Sequence, residues 1–441
     1  MIEDFNPWWA SREGVEEVEI YRRYAESEVR WRPDLIDRLS LRPFSLNFVF
    51  GPRQVGKSTA LILLVRELLE RGVHPKSIFY LSCDAIADYR ELAEVLKMYL
   101  KVRRAEGISS SYILLDEVTY PREWFRAVKS MIDMGYFRND VLVLSGSLSI
   151  SARREAETFA GRRGRGRNLV MLPLPFGRFA ELFGLRLPRG GLEHVLGGYM
   201  RFLQYVSRLV DVFETYLAVG GFPNAVREYF KYGRVSTAYG DFVSAVLSDL
   251  NKLRRSETFF KLTVRAIVEK TPSRFSYHTI SKSFGVGTVK TAVSYVELLE
   301  KMFLLKTVYA MDASGEVQPR REKKFYFIDP FIYRAFARWT MAKPPDEHAL
   351  AEAAAATHLA RLYDVFYLRH DGEIDAVVRS GDAHIGIEVK YGRAEGARRV
   401  LGVVKRIYTL SRDSADEGVI PTPLFLALLD VPQTVEVPIL A

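Results

Sequence analysis

The stretch Phe48-Val49-Phe50-Gly51-Pro52-Arg53-Gln54-Val55-Gly56-Lys57-Ser58 carries an apolar run into a glycine-bounded loop and opens into Thr59-Ala60-Leu61-Ile62-Leu63-Leu64. A strand, a loop and a helix around G-x-x-x-x-G-K-S predict a nucleoside triphosphate site, with ATP or ADP and Mg²⁺ as ligands. The loop must turn its amides inward around a phosphate, and a side chain at Gly51 or Gly56 would obstruct that approach. Lys57 is expected to reach the β- and γ-phosphates and Ser58 to offer a hydroxyl to Mg²⁺, while the helix dipole favours the same anion. Pro52, Arg53, Gln54, Val55 and Thr59 complete the expected cradle.

Further along, Ser111-Tyr112-Ile113-Leu114-Leu115-Asp116-Glu117 ends an apolar strand on two adjacent carboxylates. Open α/β sheets bind ligands at the C-terminal edge of their strands, so Asp116 is expected to hold Mg²⁺ through water. Glu117 is expected to orient and deprotonate the attacking water. Alone, either acid reads as an ordinary strand end; behind a complete phosphate loop the pair reads as catalytic.

A chain of 441 residues is too long for one compact domain. No run of eighteen apolar residues occurs, and Met1-Ile2-Glu3-Asp4 lacks the layout of a signal peptide, so a soluble, cytoplasmic protein without membrane contact is expected. The single cysteine, Cys83, excludes an intramolecular disulfide and a cysteine cluster for zinc. A formal net charge of +9 permits contact with nucleic acid and is a mild bias over such a length.

Apolar strands at residues 46–50, 77–82, 112–116, 141–145 and 168–172 alternate with helical stretches, which predicts a parallel sheet covered by helices. The fourth strand ends Leu144-Ser145-Gly146-Ser147, whose hydroxyls by chemistry alone simply bond local backbone, while a similarity to AAA+ ATPases implies a γ-phosphate sensor here, Ser147 first and Ser145 next. Gly161-Arg162-Arg163-Gly164-Arg165-Gly166-Arg167 is a basic loop, read as solvated, as a contact to a nucleic-acid phosphate backbone, or as a source of an arginine finger, with Arg162 the candidate.

These segments, with Asn6-Pro7-Trp8-Trp9, Pro173-Leu174-Pro175-Phe176, Gly220-Gly221-Phe222-Pro223 and Phe327-Ile328-Asp329-Pro330, make the chain resemble archaeal-type P-loop ATPases of the AAA+/STAND group that carry a winged helix and a C-terminal nuclease-like domain of the DUF4143 type. The resemblance implies that the P-loop strand is flanked by the sensor strand, that Pro223 packs against bound nucleotide, and that Arg162 acts on its own nucleotide or, in a homo-oligomer, on a neighbour's. By residue chemistry alone Gly-Gly-Phe-Pro is a turn between helices.

Residues 256–310 read as a winged helix, with a last helix from Thr288 to Met302 whose face of Val289, Val293, Val296 and Leu299 is expected to be buried. Lys290, Thr291, Ser294 and Lys301 then face outward, as a DNA-reading surface or around a clamp on the nucleotide. After Lys343-Pro344-Pro345 the pattern is a helix carrying Glu352, strands at residues 365–369, 373–379 and 384–391, a helix at residues 396–410 and a strand at residues 424–428. Alternation puts Glu388 and Lys390 on one strand face, and with Asp375 they form D-(x)n-E-x-K, the pattern of the PD-(D/E)xK nuclease fold. Asp375, Glu388 and Glu352 would hold Mg²⁺ or Mn²⁺, with Lys390 stabilising the pentacovalent phosphate or activating water. The helix expected at residues 396–410 has Lys405 and Tyr408 and no glutamine of the kind many active members carry.

The sequence therefore predicts an α/β chain with an N-terminal segment (1–40), an AAA+-like parallel-sheet P-loop ATPase core (41–190), a helical lid (191–255), a winged helix (256–340) and an αβββαβ PD-(D/E)xK-like domain (341–441). The expected activity is ATP hydrolysis acting on DNA, with ATP gating the last domain. The alternative is a nucleotide-dependent switch or DNA-binding regulator whose last domain binds without cleaving.

Overall fold

The structure is a computed structural model that describes residues 2–146, 159, 161–369, 373–381, 383–392 and 401–437. It divides into two compact units, one of Met1–Leu172 with Gln433–Ala441 and one of Pro173–Pro432. No helix among the described residues is long and apolar enough to cross a membrane.

In the first unit β1 (Ser45–Phe50), β2 (Ile78–Ser82), β3 (Tyr112–Asp116), β4 (Val141–Ser145) and β5 (Asn168–Met171) pair in the order β5-β1-β4-β3-β2, all parallel. Every residue of β1 is buried, as expected for a central strand covered on both faces. The P-loop strand lies between β5 and β4, the arrangement that the family resemblance implied.

Both edges of this sheet are covered. On the β2 side the Asn6 amide bonds the backbone of Tyr80 twice, donating to its carbonyl at 3.0 Å and accepting from its N–H at 2.7 Å. The indoles of Trp8 and Trp9 both donate to the Ile78 carbonyl, at 3.1 and 2.9 Å. On the other side Thr434–Glu436 pairs antiparallel with β5, and Asp34 accepts the N–H groups of Gln433 and Thr434. Unpaired strand edges invite association, and the segments around Asn6 and Thr434 satisfy these two.

In the second unit the helices Glu257–Lys270, Tyr277–Ser283 and Val289–Lys301 precede β6 (Leu305–Met311), β7 (Val317–Gln318) and β8 (Lys324–Phe327). The strands β9 (Asp364–Arg369), β10 (Glu373–Ser380), β11 (Ala383–Lys390), β12 (Val404–Ser411) and β13 (Val419–Pro421) continue the same sheet, because β9 pairs parallel with β6.

Three local expectations are corrected. Residues 404–411 form β12, parallel to β11, where a helix was expected over 396–410. The register slips between His384 and Ile385, so Lys405 has no opposite number. That bulge keeps Val404 and Ile407 on one face, a three-residue spacing that imitates a helix. Residues 422–428 are a fully buried helix where a strand was expected, since a short apolar run suits either and Pro423 suits a first helical turn. The described order after residue 346 is thus one helix, five strands, a helix and the strand Thr434–Glu436, so the αβββαβ order does not hold. Val289 is 41% exposed, because it is the first residue after the capping Thr288; Ala292, Tyr295, Val296, Leu298 and Leu299 form the buried face.

Two motifs singled out in the sequence meet in this unit. Asp329, 1% exposed, accepts the Gly221 N–H at 2.9 Å and the Phe331 N–H at 3.0 Å, while the Phe222 and Phe331 rings pack at 4.9 Å. A Cβ on Gly220, whose φ is +73°, would lie 2.1 Å from the Asp329 carboxylate, so only glycine fits. Burial pushes the Asp329 carboxyl up from 3.8 to about 7, against the lowering effect of those N–H donors. The folded state therefore holds its proton more tightly than the unfolded chain does. The stability this contributes is full below pH 3.8 and is lost as pH rises through about 7. In urea denaturation between about pH 4 and pH 8, wild type should lose stability relative to Asp329→Asn as pH rises. Parallel pH profiles would contradict the assignment.

Candidate functional site

The P-loop takes its shape from two glycines in backbone regions closed to other residues, Gly51 at φ +147° and Gly56 at φ +101°. A Cβ on Gly51 would stand 2.2 Å from the Met171 carbonyl of β5, so the neighbouring strand as well as the phosphate requires glycine there. Lys57 is 5% exposed and donates to the carbonyls of Gly51 at 3.0 Å and Pro52 at 2.9 Å. Ser58 and Thr59 follow in the first turn of the helix Lys57–Glu70, half-buried, as are Arg53 and Gln54; Val55 is fully buried.

Asp116 ends β3 with 2% exposure and is held from both neighbouring strands. The Tyr80 hydroxyl of β2 donates to its Oδ2 at 2.9 Å, and the Ser145 hydroxyl of β4 donates to its Oδ1. Burial raises the Tyr80 phenol well above its ordinary value, and Asp116 adds to the rise, so Tyr80 stays a donor. Glu117 turns off the strand at φ +50°, its N–H near Asp116 Oδ1 (3.1 Å) and Ser145 Oγ (3.2 Å). Its carboxylate pairs with Arg53 of the P-loop at 3.2 Å, and both side chains are less than one-fifth exposed. The hydroxyl of Ser58 and the fixed carboxylate of Asp116 are hard oxygen donors of the kind Mg²⁺ takes beside nucleotide oxygens and water. Tyr80 escaped the sequence reading, which had no means of aligning β2 with β3.

Ser145 thus belongs to the acid cluster, and Ser147 lies outside the described residues. Arg162 pairs with Asp133 at 2.5 Å, one-third exposed. Its neighbour Arg163 is buried over the Phe48 ring and bonded to Asn168, so one arginine of the basic loop fastens the sheet. Pro223 is the first residue of the helix Pro223–Tyr232 in the second unit.

The second unit holds a cleft of about 420 Å³ lined by Arg274, Lys324, Glu352, Glu373 and Asp375 among others. Glu352 comes from the helix Glu347–Leu359 and is 3% exposed; the Tyr326 hydroxyl donates to it at 2.6 Å. Asp375 on β10 accepts the Val389 N–H at 2.9 Å. Between them stands the ammonium of Lys324 from β8, 2.9 Å from Glu352, 2.9 Å from Asp375 and 3.0 Å from Glu373. Burial works to lower the Lys324 pKa, and the surrounding carboxylates outweigh it and raise it. Glu352 is pushed up by burial and by Asp375, which Lys324 only partly offsets. Glu352 and Asp375 are therefore brought together; Glu388, half-buried, and Lys390, exposed, sit on β11 and do not line this cleft. Lys324 was missed, although a lysine at the head of Phe325-Tyr326-Phe327 is the sign of a buried charge that needs partners.

Residues 44–180 match the family model for an AAA domain, and residues 210–343 match a domain of unknown function, DUF8612. An uncharacterized protein of Haemophilus influenzae is 23% identical over 363 residues, covering 78% of this chain and 82% of that protein. An uncharacterized protein of Methanocaldococcus jannaschii is 23% identical over 301 residues, covering 64% of this chain and 60% of that protein. Among solved structures, Cdc6p from Pyrobaculum aerophilum matches with a TM-score of 0.26 at 12% identity, over 68% of this chain and 90% of that one. PCH-2 of C. elegans matches with a TM-score of 0.23 at 16% identity, over 58% of this chain and 60% of that one. The AAA-domain match coincides with the β5-β1-β4-β3-β2 sheet, so residues 44–180 carry a P-loop domain of the AAA kind, which suggests nucleotide binding and hydrolysis.

Replacing Lys57 by Ala should weaken ATP binding by about tenfold or more, read by titration with a fluorescent nucleotide. Tyr80→Phe removes one buried donor to Asp116, worth about 0.5–1.5 kcal/mol, and should raise the Mg²⁺ concentration needed for nucleotide binding roughly 2- to 10-fold. An unchanged Mg²⁺ requirement would deny Tyr80 its positioning role.

Proposed function

We propose that the chain is a Mg²⁺-dependent ATP-hydrolysing switch that acts on DNA. The observation that carries this reading is the convergence of Lys57, Asp116 and Glu117 at one edge of a sheet with the AAA strand order. On this reading the backbone amides of the Gly51–Ser58 loop surround the phosphates, and Lys57 exchanges its two carbonyl partners for β- and γ-oxygens. Ser58 and Asp116 hold Mg²⁺, which neutralises phosphate charge when bound. Glu117 leaves Arg53 to orient the attacking water, Ser147 senses the γ-phosphate, and Arg162 leaves Asp133 to act on its own nucleotide or a neighbour's in a homo-oligomer. Pro223 packs against the nucleotide.

The second unit is the output. Its helices Tyr277–Ser283 and Val289–Lys301 with the β6–β8 strands are read as a winged helix that contacts DNA through Lys290 and its neighbours. The last hundred residues are read as a PD-(D/E)xK-like fold. If ATP gates cleavage there, Asp375, Glu388 and Glu352 hold Mg²⁺ or Mn²⁺ and Lys390 assists. The other reading, binding without cleavage, is favoured by the ammonium of Lys324 lying among Glu352, Glu373 and Asp375.

Wild type, Lys57→Ala and Asp375→Ala should be incubated with ATP, Mg²⁺ or Mn²⁺ and single- or double-stranded DNA. Wild type and Asp375→Ala should release phosphate and Lys57→Ala should not; DNA binding should fall steeply with salt, and no strand should be cut. Equal phosphate release by wild type and Lys57→Ala would refute the ATPase reading, and Asp375-dependent cleavage would establish the gated nuclease instead.

A further inference from the structure

The lysine in the C-terminal cleft is not a passing surface contact. An ammonium has three N–H donors, and Lys324 meets three carboxylates, Glu352 and Asp375 at 2.9 Å and Glu373 at 3.0 Å, with 2% of its side chain exposed. The backbone of Lys324 is fixed by the pairing of β8 with β6, opposite Val308, and its ammonium lies 5.9 Å from the centroid of the Tyr367 ring. Arg274 adds a second cation, bonded to Glu373 and, at 3.2 Å, to Glu322. Taking such charges out of water costs several kcal/mol per ion and is sustained only where each is met by partners, as here.

A nuclease-like fold implies a divalent metal held by Asp375, Glu352 and Glu388, and these residues do not fit one. Mg²⁺ draws its oxygens to about 2.0–2.1 Å in an octahedron. Glu352 and Asp375 are instead spread at 2.9 Å around a nitrogen, the separation of a charge-assisted hydrogen bond. Among the described residues no group of three or more His, Cys, Asp or Glu side chains is arranged to hold a metal. The four carboxylates of the cleft, Glu322, Glu352, Glu373 and Asp375, exceed its two cations, Arg274 and Lys324, so without a metal the cleft repels a phosphodiester.

We propose that Lys324 is the resident cation of this cleft: its ammonium takes the position a divalent metal would occupy, ties β8 to the Glu352 helix and to β10, and leaves the cleft metal-free. The inference rests on the nuclease-like reading only for where a metal is expected. It is independent of the ATPase reading and is tested without nucleotide.

Mn²⁺ binding to the nucleotide-free full-length chain is followed by electron paramagnetic resonance for wild type, Asp375→Asn, Lys324→Met and the double variant. Wild type and Asp375→Asn should bind Mn²⁺ identically up to millimolar metal, whereas Lys324→Met should gain a site about tenfold tighter or more, lost again in the double variant. Binding by wild type that disappears in Asp375→Asn overturns the proposal, and so does a folded Lys324→Met that gains no Asp375-dependent site. If Lys324→Met does not fold, wild type against Asp375→Asn still decides: equal curves support the resident cation and unequal curves refute it.

Discussion

Parallel pairing of β1, β4 and β3 sets Val49 level with Ser145 and Leu115 level with Leu144, and what the first unit can do with a nucleotide follows from that register. With it, the P-loop leaving β1, the hydroxyl ending β4 and the acids ending β3 emerge at one edge. A slip of one residue in β3 would turn Asp116 to the opposite face. Tyr80 adds a fourth strand to the arrangement, since β2 pairs in register with β3 and places Ser82 opposite Asp116.

A common logic links the two candidate sites. Each charged group that would meet a ligand is already met by a group of the chain: Lys57 by two P-loop carbonyls, Glu117 by Arg53, and the acids of the cleft by Lys324. Buried charges left alone would be expensive, so the ligand-free protein supplies its own partners. In the P-loop these are carbonyls and one half-buried ion pair, which phosphate and Mg²⁺ can outcompete. In the cleft the partner is a full positive charge making two hydrogen bonds and a third ion pair, a much harder one to displace.

How much of this the sequence disclosed depends on how local the cause is. The P-loop, the Asp116-Glu117 strand end and the strands of the first unit were legible because short-range pattern and turn chemistry decide them. Helices and strands at residues 404–428 were not, because a bulge at Lys405 sets Val404 and Ile407 three apart on one face and a short apolar run carries no period of its own. Tyr80 and Lys324 were invisible for another reason. Their roles depend on which strand lies beside which, 36 residues from Tyr80 to Asp116 and 51 from Lys324 to Asp375. Asp329 shows the intermediate case, where both motifs were noticed and only the fold joined them.

The strand Thr434–Glu436 closes the ATPase sheet beside β5, although about 260 residues of the second unit lie between them. At roughly 5–20 residues per second, a ribosome needs roughly 10–50 s to cross that interval. Throughout it β5, neighbour to the P-loop strand, has a bare edge, and Met171 lacks the partner that Thr434 will provide. The first part of the chain to be made is therefore the last to be finished, and the newborn ATPase core depends on its own far end for completion.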